Sequence, residues 1–137
     1  MAHSNQFRQS ILLCLDLEQD SDHLARLTAQ FAAIGGQDVH ILYVETRKGD
    51  LRHKEKEWLV LRQLADATVQ GVEIAAMQVL EGIPEDVILR YASEHPIGVV
   101  VLGHRQNAIE SIHVGSTTKA VISLSPVPVL VVPLTDS

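Results

Sequence analysis

Short, nearly uninterrupted apolar runs alternate along this chain with longer segments whose apolar residues recur every three or four positions. Ser10-Ile-Leu-Leu-Cys-Leu15 is a continuous apolar run closed by Asp16, the pattern of a strand buried on both faces in a parallel sheet. From Asp20 to Gly35, Leu24, Leu27, Thr28, Phe31 and Ala32 recur at helical spacing, with Asp20 or Ser21 as N-cap and Gly35-Gly36 as the stop. This predicts a helix that turns those residues inward. Val39 to Val44 is a second β-rich run, followed by the charged stretch Glu45 to Glu57 and by Trp58, Leu61, Leu64, Ala65 and Thr68 on one helical face.

Val72 to Leu80 alternates as a third strand, and Glu81-Gly82-Ile83-Pro84 then opens a helix, since proline is tolerated in a first turn. Val87, Ile88, Tyr91 and Ala92 form its inward face until His95-Pro96 ends it. Ile97 to Leu102 is the most hydrophobic strand candidate; a polar loop is expected from Gly103 to Val114. Gly115-Ser116-Thr117-Thr118 then leads into a short helix with Ala120, Val121 and Leu124 facing inward, and Val127 to Val132 reads as a fifth strand.

Five strands alternating with helices predict one α/β domain over residues 1–137, an open and mainly parallel sheet with helices on both faces and an expected strand order of 3-2-1-4-5. There is no internal repeat, low-complexity tract or linker. Pro126, Pro128 and Pro133 sit in or beside the last strand, and proline cannot donate to a ladder, so this strand is expected at a sheet edge. An apolar edge needs a cover. A second copy of the chain, pairing through this edge in a homodimer, is the expected one.

Composition narrows the function. The 137 residues are 46% hydrophobic and 20% charged, enough apolar material for one core. The 11 Lys and Arg against 17 Asp and Glu give a net charge of −6, which repels nucleic acid. Met1 to Ser10 is polar and the apolar runs are strand-sized, so neither an export signal nor membrane insertion is expected. The single cysteine, Cys14, excludes an internal disulfide and multi-cysteine zinc patterns. It is expected to be a buried, unreactive thiol in a cytoplasmic protein.

In open parallel sheets ligands bind beyond the carboxyl ends of the strands, where strand order reverses. The residues placed there are Asp16, Val44-Glu45 and Gly103. Gly115-Ser116-Thr117 opens a helix, so unpaired N–H groups, the positive end of the helix dipole and hydroxyls are available for an anion. The same residues also suit a plain N-cap and turn. Asp16, Glu18, Asp20 and Asp22 alternate as in a calcium loop, but Ser21 and Leu27 stand where glycine and a bidentate glutamate are needed. The seven histidines lack zinc spacing, and no Gly-x-Ser-x-Gly elbow, phosphate-binding P-loop or Gly-x-Gly-x-x-Gly occurs. No metal site and no catalytic residue is assigned.

The order of these pieces resembles the universal stress protein family, small α/β domains many of whose members bind ATP. The resemblance runs from the strand ending in Asp16, through Glu81-Gly-Ile-Pro-Glu-Asp-Val-Ile88, to Gly103, Gly115-Ser116 and Val127-Pro-Val-Leu-Val-Val132. The family's nucleotide signature is Gly, two residues, Gly, nine residues, Gly, then Ser or Thr. This chain departs from it: Gln106 replaces the second glycine, and eight residues separate Gln106 from Gly115. Counting back from Gly115 instead places Arg105 and Leu102 at the glycine positions.

The resemblance implies that Asp16 lies near adenine or ribose, that Val44 offers backbone to adenine, and that Gly103, Gly115, Ser116 and Thr117 hold ribose and phosphates. Arg105 or His104 would add charge to the phosphate cradle. It implies a regulatory protein that binds ATP, with or without Mg2+, at the carboxyl ends of strands one and four and signals to a protein partner, with slow ATP hydrolysis at most. The alternative is a dimeric interaction module of the same fold that no longer binds nucleotide. A phospho-acceptor receiver is disfavoured because strand three ends Val79-Leu80-Glu81, without the aspartate that chemistry needs.

Overall fold

The computed structural model describes residues 9–15, 21–45, 71–106 and 116–135, together with residues 55, 58 and 62. Its elements are β1 (Ser10–Leu15), α1 (Ser21–Gly35), β2 (Val39–Glu45), β3 (Ile74–Glu81), α2 (Pro84–Glu94), β4 (Ile97–Gln106), α3 (Ser116–Leu124) and β5 (Val129–Thr135). Residues 55, 58 and 62 carry helical backbone between β2 and β3. The strands form one sheet in the order β3-β2-β1-β4-β5, and every pairing is parallel.

All six residues of β1 are buried, as its unbroken apolar run requires of a strand covered on both faces. Successive side chains alternate between faces, so Ile11, Leu13 and Leu15 join one core with Leu24, Ala25 and Ala32 of α1. Leu12 and Cys14 join the other with Val87, Ile88, Tyr91 and Ala92 of α2 and Val121 of α3. Burial pushes the Cys14 thiol pKa far above its ordinary value, consistent with an unreactive thiol.

The edge position expected of the proline-bearing last strand is the one observed, with β3 at the opposite edge. Three local expectations are corrected. Phe31 and Leu124 were expected to face inward but are 48% and 68% exposed. In α1 the buried arc runs through Leu24, Ala25, Thr28 and Ala32, leaving Phe31 at its margin. In α3, Thr118 and Val121 define the inward face, and Leu124 is the last helical residue. The third correction concerns the polar loop expected from Gly103, because β4 instead continues through Gln106. There Gly103, His104, Arg105 and Gln106 pair with Val132, Pro133, Leu134 and Thr135 of β5. No helix among the described residues is long and apolar enough to cross a membrane.

Candidate functional site

At the carboxyl end of the sheet β1 parts from β4 within the described residues. The described ladders of β1 end at Leu15↔Tyr43 on the β2 side and at Leu13↔Val101 on the β4 side. Among the described residues β2 runs through Val44 and Glu45 and β4 through Gln106. Backbone groups alternate in direction along a strand. The Val39 N–H donates to the Glu73 carbonyl beside β3, and the Glu45 carbonyl accepts from the Gly82 N–H after β3. The polar backbone groups of Val44, one residue before Glu45, therefore face the β1 side, beside the Leu15↔Tyr43 pair.

The side chain of Glu45 is only 2% exposed at this edge, a burial that hydrophobic patterning could not reveal. Its strand partner Glu81 is exposed. Gly82 follows with φ near 148°, a conformation L side chains rarely adopt, and a Cβ there would come 2.7 Å from Val87 Cγ2. Glycine is what lets the chain turn from β3 into α2 so tightly.

Two helix N-termini meet at the carboxyl end of the sheet. In α2, Pro84 takes the first turn, and Glu85 and Asp86 place acid beside the positive dipole end. In α3, Ser116 and Thr117 begin the helix and no acidic residue occupies its first turn. The two come together where the Thr117 hydroxyl faces Glu85 Oε2 at 3.4 Å, a long donor–acceptor separation at the weak limit for such a pair. Glu85 was not among the residues singled out from sequence. Its only signal there was a place in the first turn after Pro84.

Of the expected ligand residues, Val44 lies near the carboxyl end of β2, Gly103 lies in β4 beyond its last pairing with β1, and Ser116 and Thr117 open α3. Arg105 is in the β4 ladder. Asp16 and Gly115 lie outside the described residues. The start of α3 offers N–H groups and hydroxyls of the kind that hold a phosphate. The position of Gln106 is less accommodating: it is strand, paired with Thr135, where the family signature has a glycine turn.

The opposite, amino edge holds a separate titratable cluster. His40, the second residue of β2, is buried, and its Nδ1 lies 2.7 Å from the Tyr91 hydroxyl of α2. His95 stacks on Tyr91 with ring centroids 3.7 Å apart. It also caps α2, donating Nδ1–H to the Tyr91 carbonyl at 3.0 Å and its backbone N–H to the same oxygen at 3.1 Å. Burial lowers the His40 pKa below its ordinary value; Asp38 opposes the shift and His95 adds to it. Burial raises that of Tyr91. The Ser10 hydroxyl donates to Asp38 and fixes it at the start of β2.

A family model described as the universal stress protein family matches residues 8–133. The sensor protein KdpD of Escherichia coli K12 is 33% identical over 96 residues, which cover 70% of this chain and 10% of that protein. The chain thus spans about a tenth of the length of this curated relative. Among solved structures, a universal stress protein from Archaeoglobus fulgidus in complex with dAMP aligns with a TM-score of 0.67 at 20% identity, covering 90% of this chain and 96% of that one. A universal stress protein in complex with cAMP aligns with a TM-score of 0.74 at 20% identity, covering 93% and 98%. At such identities the likeness is one of fold.

Proposed function

Because the chain belongs to the universal stress protein family, we propose that it is a regulatory domain that binds an adenine nucleotide at the carboxyl ends of β1 and β4. ATP, alone or with Mg2+, is the ligand of this reading, and occupancy is the signal passed to a protein partner. The observation that carries it is the parting of β1 from β4 after the Leu13↔Val101 pair, at the strand-order reversal where open parallel sheets bind ligands. Two relatives of the same fold are described in complex with dAMP and cAMP.

Val44 would pair with adenine through its backbone, and Asp16 would stand near the adenine or ribose. Gly103 would lie against the ribose, and Gly115, Ser116 and Thr117 would take the phosphates at the start of α3, with Arg105 adding charge. The reading is of binding, with slow ATP hydrolysis at most. The buried thiol of Cys14 accords with a cytoplasmic setting.

The test is a calorimetric titration of the folded protein with ATP and magnesium, with AMP as comparison. Saturable heat, lost in Gly115→Leu, is the expected result, since a side chain there would occupy the phosphate path. No heat from either nucleotide would overturn it.

A second reading is a dimeric interaction module of the same fold that does not bind nucleotide. It draws on Gln106, which continues β4 where the signature has a turn. In both readings the β5 edge pairs with a second copy, and sedimentation showing only monomer would sink that pairing.

A further inference from the structure

The nucleotide reading puts the phosphates at the start of α3, and a carboxylate already stands there. Helix α3 brings no acidic residue to its own first turn. Glu85 supplies one from α2, with Oε2 3.4 Å from the Thr117 hydroxyl. Glu85 is held there by its place directly after Pro84, in the first turn of a helix that packs beside α3. Both side chains are half-buried, so the charge is less screened than that of a freely solvated glutamate. The carboxylate therefore shares the positive end of α3 with any phosphate that binds there.

We propose that Glu85 is the charge-selecting residue of this site: it disfavours uncompensated phosphate charge, so that a nucleotide with a single phosphate group, or ATP neutralised by a divalent cation, is admitted ahead of free ATP. This rests on the nucleotide reading above. The physical reason is like-charge repulsion. Each ionised phosphate oxygen near the Thr117 hydroxyl faces the Glu85 carboxylate, and the penalty grows with the charge of the phosphate chain. A divalent cation bound to the phosphates offsets part of their charge and lessens the penalty.

The experiment measures the affinities of cAMP and ATP by calorimetry, in chelator and in magnesium, for the wild-type protein, Glu85→Gln and Asp86→Asn. Glu85→Gln keeps the shape of the side chain and removes its charge. Asp86→Asn removes an exposed charge one residue along and controls for net charge. In chelator, Glu85→Gln is expected to raise the affinity for ATP by about tenfold relative to that for cAMP, the size of one partly screened charge pair. Asp86→Asn should leave the ratio unchanged, and magnesium should shrink the effect of Glu85→Gln. An ATP-to-cAMP ratio equal in wild type and Glu85→Gln would overturn the inference while leaving nucleotide binding intact. No binding of either ligand to any of the three proteins would overturn the nucleotide reading, and the inference with it.

Discussion

Replacing Tyr91 by phenylalanine removes one oxygen and almost no volume, so it isolates the hydrogen bond to His40. Tyr91 is 4% exposed and His40 is 7% exposed, with 2.7 Å between hydroxyl and Nδ1. In Tyr91→Phe the buried ring nitrogen keeps its desolvation cost and loses its partner, which costs about 1–3 kcal/mol. No cavity contributes, because the ring remains. In a chain of this size each kcal/mol lowers the melting temperature by about 4 °C. His40→Leu in the Tyr91→Phe background removes both polar ends at once and should recover part of that loss.

The same pair predicts a pH window. The folded-state pKa of His40 is lowered from 6.5, so below that value the folded protein binds fewer protons than the unfolded chain. Its contribution is complete above pH 6.5 and is lost as pH falls toward the folded value. The pKa of Tyr91 is raised from 10.0, so its contribution is complete below that pH and is lost as pH rises through the folded value. Urea unfolding at several pH values reads both limbs. Tyr91→Phe should lose the alkaline limb, and His40→Leu should flatten the acid one. A Tyr91→Phe protein as stable as wild type at neutral pH would refute the reasoning.

Two further expectations concern the fold. Gly82→Ala should destabilise by about 1 kcal/mol or more in urea unfolding, because φ near 148° and a Cβ 2.7 Å from Val87 Cγ2 must both be accommodated; wild-type stability would show that the turn relaxes freely. Cys14 should react with a thiol reagent only as fast as the protein opens, since it is buried with a raised pKa. Labelling in native buffer as fast as in denaturant would contradict that burial.

Much of the fold was legible along the chain because a parallel sheet covered on both faces asks for continuous apolar strands, a local property. Ser10–Leu15, Val39–Val44 and Ile97–Leu102 carry that pattern, and the helices between them carry the complementary stripes. The edge position of β5 followed from Pro126, Pro128 and Pro133, since a missing N–H is also a local fact. What periodicity could not reach was pairing at a distance. The polar end of β4, Gly103 to Gln106, is held as strand by its ladder to β5, and nothing in its own residues says so. The burial of Glu45, the bond between His40 and Tyr91, and the meeting of Glu85 with Thr117 each join segments remote in sequence. The apolar pattern determined which segments would be strands and helices. Only the tertiary structure decided which polar groups those elements brought together, because hydrophobic burial sets the frame without specifying the company of the polar residues at its edges.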